Sequence, residues 1–272
     1  MFAPERHRLI LAHLQMHETA TLRELSALTA SSEVTTRRDL RSLEADGRLK
    51  RRHGGAVLEA GPAHEPPYAA KARVAAAEKA AIAEAAAALV EPGDAVVIGP
   101  GTTTRALARR LVDCPDLIVV TNSLLVTEAL MDAPAVEVHV TGGILRASIH
   151  ALVGPAAERS LAGLRTVRTF ISGNGVTAER GLTTPNPLVA SIDRVLIAAA
   201  REVVVLADST KIGQDTMCQT IPPEAMTHLI VDEGADKREI ERLREVGVRV
   251  QVAAPATAPV ADLVDWPGRG GS

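Results

Sequence analysis

Arginine reaches both phosphate oxygens and guanine edges, and Arg37, Arg38 and Arg41 stand close together in this chain. At about 100° per residue, a helix over residues 33–45 turns Val34, Arg37, Arg38 and Arg41 to one side, within roughly 100°. Thr36, Leu40 and Leu43 fall on the other side within roughly 60°, a narrow core-facing stripe. Such a helix has one face for protein and a basic face for an anion. Ser31 or Ser32 can cap it, Glu33 suits the positive end of its dipole, and Gly47 ends it. Leu49-Lys50-Arg51-Arg52-His53 follows as a short basic strand, and Gly54-Gly55 turns it back. A basic helix followed by a basic hairpin predicts a winged helix-turn-helix, with the helix in the major groove of double-stranded DNA and the wing on the phosphates. The candidate DNA contacts are Thr21, Ser32, Val34, Thr35, Thr36, Arg37, Arg38, Arg41, Lys50, Arg51, Arg52 and His53. For the helix alone, a small protein-binding domain with a solvated basic face is the competing reading.

A second set of residues lies further on. Apolar runs at 95–98, 117–120, 136–140, 169–172 and 203–207 each end in small, hydroxyl or amide residues. Glycine lets backbone N–H groups approach an oxyanion, threonine donates a hydroxyl, and a helix start favours negative charge. In an open parallel sheet, ligands bind beyond the carboxyl ends of the strands. If the runs are strands of one such sheet, the candidate ligand contacts are Gly101, Thr102, Thr103, Thr104, Thr121, Asn122, Gly142, Gly143, Arg146, Gly173, Asn174, Gly175, Asp208 and Lys211. They suit a small polyhydroxylated anion, most simply a phosphorylated sugar or similar metabolite. Taken singly, glycine and threonine after a strand are more often turn residues. Gly101-Thr102-Thr103 lacks the lysine of a P-loop, and no glycine pattern fits a dinucleotide fingerprint, so no cofactor is expected.

The elements that must position these residues are legible in outline. Residues 6–17 form a first helix, and Thr21-Leu22-Arg23-Glu24 fits a capping box opening a second over 22–28, with Leu22, Leu25 and Leu28 inward. Residues 1–57 are thus a winged helix-turn-helix. Residues 58–77 are a linker, its first ten positions interrupted by proline and glycine. An alanine-rich helix covers at least 78–90 and stops at Pro92-Gly93. Further apolar runs at 228–231 and 248–252, with helical stretches at 103–111, 124–131, 188–200 and 236–246, predict an α/β domain over 78–254. Its sheet is buried, largely parallel and helix-covered. Residues 255–272 form a tail.

Composition narrows the function. Up to Val57 the chain carries ten Lys/Arg against seven Asp/Glu, and the remainder is acidic, which suits a nucleic-acid module attached to a body that does not touch nucleic acid. Aromatic residues are 1% of the chain, which argues against recognition by base stacking. Two cysteines make neither a disulfide framework nor a zinc site, and no metal is expected. No signal peptide or membrane span is expected, so the setting is cytoplasmic.

With these residues in place, the chain resembles the DeoR family of bacterial transcriptional regulators to about Val252. Thr35-Thr36-Arg37-Arg38-Asp39-Leu40 and His53-Gly54-Gly55-Ala56 are similar to that family's recognition helix and wing. Gly101-Thr102-Thr103, Thr121-Asn122-Ser123, Gly142-Gly143, Leu152-Val153-Gly154-Pro155, Gly181-Leu182-Thr183-Thr184 and Asp208-Ser209-Thr210-Lys211 resemble its effector domain, in order. The resemblance implies a fold like ribose-5-phosphate isomerase and glucosamine-6-phosphate deaminase. It also implies a sugar phosphate or related effector, a homo-oligomer (dimer or tetramer), and repression of a catabolic operon. Ser31 and Thr36 stand where the family usually has apolar core residues, and Pro187-Leu188-Val189 and Asp193-Arg194 replace a usual glutamate and basic pair. The rival function is a sugar-phosphate isomerase or deaminase with an added nucleic-acid module. No second carboxylate pairs with Asp208 and Lys211 as acid and base, so catalytic residues and enzyme activity are not expected. A protein-interaction scaffold is a third reading.

Overall fold

Leucines at helical spacing and a capping box lay down the first elements. Helix α1 (Ala3–His17) buries Ile10, Leu11 and Leu14. Strand β1 (Thr19–Thr21) leads into α2 (Leu22–Leu28), where the Thr21 hydroxyl accepts the Glu24 N–H and the Glu24 carboxylate accepts the Thr21 N–H. Leu22 and Leu25 are buried, but Leu28 is 38% exposed, contrary to expectation. It lies about 120° round the helix from Leu22, past the core stripe. Helix α3 (Glu33–Ala45) buries Thr36, Asp39, Leu40 and Leu43. Strands β2 (Lys50–Arg52) and β3 (Gly55–Val57) form the wing, in an antiparallel sheet of order β1-β3-β2. A side chain at Gly55 would meet the Ala20 carbonyl oxygen at 2.1 Å, so only glycine lets β3 lie against β1.

The computed structural model describes every residue except 18, 47, 53, 58–64, 66–67 and 256–272. Gly47, His53, most of the 58–67 linker stretch and the tail beyond Pro255 therefore lie outside the described residues. The chain divides into two compact units, Met1–Lys71 and a second from Ala72. Within the stretch expected as linker, residues of high helix propensity form α4 (Tyr68–Arg73) and the start of α5 (Ala76–Ala87).

The second unit alternates strand and helix: β4 (Ala95–Ile98), α6 (Thr102–Arg110), β5 (Leu117–Thr121), α7 (Leu124–Leu130), β6 (Val136–Val140). A hairpin, β7 (Ile144–Arg146) and β8 (Ala151–Val153), and α8 (Pro155–Ser160) lead to β9 (Thr166–Ile171). Then come β10 (Gly175–Thr177), β11 (Gly181–Thr184), α9 (Pro187–Ala198), β12 (Ala200–Leu206), β13 (Cys218–Ile221), β14 (His228–Asp232), α10 (Lys237–Glu245) and β15 (Arg249–Ala253). All seven predicted apolar runs belong to one parallel sheet of order β15-β14-β12-β9-β4-β5-β6. Alternate side chains enter opposite layers. Val96 and Ile98 pack with Ile82, Leu107 and Val126, and Val97 packs with Val153, Ile192 and Leu196. Each such fully buried side chain contributes roughly 1.5–3 kcal/mol. The carbonyls that end α9 are met from β9: Thr169 Oγ1 donates to Leu196 O at 2.8 Å, and the Thr166 N–H donates to Ala199 O at 2.8 Å. The hairpin and the small antiparallel sheet β10-β11-β13 were not expected from sequence.

Two buried titratable groups give these units testable weak points. Asp39 ties α3 to α1: Arg6 Nε and Nη2 donate to its carboxylate at 2.6 and 2.9 Å, and His7 Nε2 lies 3.2 Å away. Breaking a buried pair costs more than replacing it with apolar groups. Asp39→Ala should therefore destabilise the amino-terminal unit by on the order of 3 kcal/mol. Arg6→Met with Asp39→Leu should recover most of that in chemical denaturation; a double variant as unstable as the single one would refute a clamp held by charge.

His228, at the start of β14, is 6% exposed, and its Nε2 has no hydrogen-bond partner among the described residues. Burial pushes its imidazolium below the ordinary value; Arg249 and Arg168 reinforce this and Glu202 opposes it. The unfolded chain thus takes up the proton first, at a pH of about 6.5. Stability is full above that pH and falls as pH drops through it. The wild type should lose stability relative to His228→Leu between pH 8 and pH 5; parallel denaturation profiles would show that His228 does not contribute.

Candidate functional site

The basic face predicted for α3 is exposed. Val34 is 75% exposed, Arg37, Arg38 and Arg41 are exposed, and Thr35 is half-buried. Ser32 caps the helix by accepting the Thr35 N–H at 3.2 Å. Arg37 makes only a loose pair with Glu33, 3.4 Å apart and exposed on both sides. On the wing, Lys50 and Arg51 are exposed, and Arg51 binds Glu44 through its N–H at 2.9 Å and its guanidinium at 2.5 Å, tying the wing to α3. Two expected contacts are corrected. Thr36 is fully buried, with its hydroxyl donating to Ser32 O at 3.2 Å and linked to Ser26 Oγ and Ser31 Oγ at 3.0 Å each. Its hydroxyl holds the start of α3 and cannot reach DNA. Ser31 and Thr36 therefore replace apolar packing with a hydroxyl cluster. The Thr21 hydroxyl is spent on Glu24 in the capping box. The role of Asp39 was missed, although it falls about 40° from the Leu43 edge of the core stripe.

In the second unit, the chain runs outward from β4 through β5 to β6, then restarts at β9 and runs through β12, β14 and β15 in the other direction. The switch point, where a crevice opens in such sheets, lies between the carboxyl ends of β4 and β9. All five loops picked from sequence follow the adjacent strands β12, β9, β4, β5 and β6, so they sit on one edge. Direct contacts link neighbours along it. A Cβ at Gly101 would lie 3.1 Å from Ser172 Cβ, Thr121 Oγ1 donates to Ile98 O at 2.6 Å, and the Thr141 N–H donates to Thr121 O at 3.0 Å. Helix α6 starts at this switch point from Gly101, with no side chain capping it.

Several expected ligand contacts have internal work. Thr103 is 2% exposed, and Thr104, fully buried, donates to Gly101 O at 3.1 Å. Thr121 is fully buried, and its hydroxyl also accepts the Ser123 N–H at 3.0 Å. Thr104 and Thr121 are corrected from ligand donors to positioning residues. Gly173 and Gly175 are small because neighbours approach: a Cβ at Gly175 would meet Gln214 O at 2.3 Å, and one at Gly173 would meet Leu182 Cδ1 at 2.6 Å. Gly142 and Gly143 are exposed, Gly101, Thr102, Arg146, Asn174 and Lys211 are half-buried, and Asn122 is fully buried. Asn122 Nδ2 donates to Leu152 O at 3.0 Å, while its Oδ1 has no partner among the described residues.

Lys79, on α5, joins this edge and was missed in the sequence. It is 4% exposed, with Nζ 2.5 Å from Val74 O and 3.7 Å from Asp208 Oδ2. Burial pulls its ammonium below the ordinary lysine value; Asp208 opposes this and the nearby Lys211 charge adds to it. Asp208 also caps the turn 209–211, accepting the Thr210 N–H at 3.1 Å. The arrangement is one buried ammonium beside a buried carboxylate, with the Lys211 charge near enough to act on Lys79. A cavity of about 320 Å³ lies beside it, lined by Glu78, Ser209, Asp232, Glu233, Gly234 and Pro255 among others, and it contains none of the predicted ligand contacts. Among the described residues, no cluster of His, Cys, Asp and Glu has the makings of a metal site, and no helix is long and apolar enough to cross a membrane.

Comparison with known proteins bears on both units. Residues 6–60 match the DeoR-like helix-turn-helix domain, and residues 74–233 match the DeoR C terminal sensor domain. A protein of Escherichia coli O157:H7 named for transcriptional repression of the aga operon is 34% identical, covering 90% of this chain and 92% of its own. The transcriptional regulator GlpR of Haloferax volcanii is 34% identical over 92% of this chain and 98% of its own. The transcriptional repressor GlcR of Bacillus subtilis is 30% identical over 93% and 97%. Among solved structures, ribose 5-phosphate isomerase A of Methanocaldococcus jannaschii aligns with a TM-score of 0.38 and 17% identity, over 49% of this chain and 53% of that one. The expectation of no enzyme activity is corrected here: the second unit matches a sensor-domain model over residues 74–233, which does not exclude catalysis, so that exclusion is withdrawn. At these TM-scores the likeness assigns no activity. With both domain models matching in order, and relatives similar over nearly their whole length, the chain belongs to the DeoR family of DNA-binding transcriptional regulators.

Proposed function

We propose that this regulator represses a carbohydrate or related catabolic operon and is controlled by a small phosphorylated metabolite, most simply a sugar phosphate. Residues 1–57 grip the operator and residues 78–254 sense the metabolite, joined by 58–77 and followed by the tail 255–272. The observation that carries the DNA half is the exposed row Val34, Arg37, Arg38 and Arg41 on a helix held from behind by Leu40, Leu43 and Asp39. Thr35, Arg37, Arg38 and Arg41 divide between base edges and phosphates, and Val34 suits a thymine methyl. Ser32 at the helix start and Lys50 and Arg51 on the wing contact phosphate, and the same role is proposed for Arg52 and His53, whose side chains lie outside the described residues. Two of the relatives are named as repressors, which favours repression over activation.

For the sensor half, Lys79 and Lys211 beside Asp208 supply positive charge, and the uncapped start of α6 supplies N–H donors. Gly101, Thr102, Thr103, Asn122, Gly142, Gly143, Arg146 and Asn174 complete the shell. Gly173 and Gly175 shape it. The working form is a homo-oligomer, a dimer or tetramer, and the metabolite acts by binding one of its arrangements more tightly than the other.

Two measurements test the halves separately. Arg38→Ala should weaken operator binding by on the order of 1–3 kcal/mol and relax the base preference it reads. An unchanged footprint and affinity would remove Arg38 from the interface. In a thermal-shift screen of sugar phosphates, a true effector at 100 times its dissociation constant should stabilise by about 2.7 kcal/mol. Lys211→Ala should abolish that shift without lowering the unliganded melting temperature; a screen with no stabilising phosphate would end the sensor assignment.

A further inference from the structure

Strand β6 ends the seven-stranded sheet and, among the described residues, pairs only with β5. That register runs unbroken from Leu117–Val136 to Thr121–Val140. Natural edge strands are usually protected by charged side chains, above all lysine, by proline, a bulge or a covering element, and Glu137 is the one acid that β6 carries. The β6 sequence Val136-Glu137-Val138-His139-Val140 has no lysine and no proline, and its pairing shows no bulge. Glu137 and His139 are well exposed, with side chains 69% and 55% accessible, and Val140 is 41% exposed.

The direction of the outer backbone groups follows from one hydrogen bond. The Thr141 N–H donates to Thr121 O, so the odd-numbered residues turn their N–H and C=O groups toward β5. Val136, Val138 and Val140 then present theirs to the open edge. The strand also reads the same by type in both directions about Val138, apart from the exchange of an acid for an imidazole.

We infer that β6 pairs antiparallel with β6 of a second copy of this chain, about a two-fold axis at Val138. This rests on the oligomeric reading above and supplies the surface for it. The pairing sets Val138 opposite Val138 of the partner subunit, as a hydrogen-bonded pair with both outward N–H and C=O groups used. Val136 meets the partner's Val140, and the reciprocal pair does the same. Glu137 faces the partner's His139 in a non-hydrogen-bonded pair, where Cα atoms approach to about 4.5 Å. The Glu137–His139 contact of 2.7 Å within one chain becomes half of an alternating cluster of two acids and two imidazoles. A parallel pairing with another protein has no such self-matching charge. The two-fold operation also brings the amino end of one β6 to the carboxyl end of the other. A two-fold contact of this kind is isologous and closes after two copies.

Sedimentation of the full-length chain tests the interface. Val138→Pro removes an N–H that the sheet does not use, so the fold should survive, as checked by its melting temperature. Glu137→Lys sets a cation against the partner's His139. Each variant should halve the mass of the wild-type assembly, or raise its dissociation constant at least tenfold. The exchange Glu137→His with His139→Glu keeps the pairing and should restore the wild-type mass. A wild type that stays monomeric overturns the oligomeric reading and this interface together, and leaves the edge to another protein's strand. A wild-type oligomer that Val138→Pro and Glu137→Lys leave intact overturns the interface alone.

Discussion

A charge removed from water must be answered within the protein, and that constraint sorts the cations of this chain. Arg6 is answered by Asp39, Arg105 by Glu128 at 3.0 Å, and Lys79 by Asp208. Leaving any of these ions buried alone would cost several kcal/mol. The arginines of α3 face no such demand. Arg38 and Arg41 have no acid within ion-pair distance among the described residues, and the Arg37–Glu33 pair is exposed and worth little. Their charge is open to an outside partner because the helix is fixed by other residues. Asp39 belongs to both sides of this division: it stands next to the arginine row in sequence, yet faces inward and holds the row in place.

The sheet imposes a second order. Parallel strands deliver every carboxyl end to one edge, so five loops of similar chemistry converge without any sequence signal for their convergence. The same sheet has lateral edges, where ladder groups rather than loops are exposed. The carboxyl edge suits a small ligand, and the lateral edge at β6 suits another strand. Because β5 and β6 touch at Thr121 and Thr141, a shift at one boundary has a short path to the other.

Much of this was legible in the sequence, for physical reasons. The seven core strands are short apolar runs set off by turn residues, and α3 has a hydrophobic stripe opposite a charged one. The strands that escaped notice lack contrast. Gly175–Thr177 and Gly181–Thr184 are buried at every position, so no alternation marks them. Lys79 resembled a solubilising residue in an alanine-rich helix, and only the fold brings Asp208 to it. Hydroxyl residues were the least legible. Residue type says that Thr36, Thr104 and Thr121 will bond something, but not whether the partner is a ligand or the chain's own backbone.

The internal duties of those threonines bear on how the edge can work. A loop that binds an oxyanion through backbone N–H groups must hold them still before the ligand arrives. Thr121 fixes the end of β5 to β4, and Thr104 fastens the first turn of α6 to Gly101. With these hydroxyls committed, the N–H donors that begin α6, which no side chain caps, stay open beside the remaining polar side chains of the edge. Those donors open at the switch point between β4 and β9. On the proposed reading, the strand ends suit an anion partly because some of their side chains set the backbone, rather than because every side chain points at the ligand.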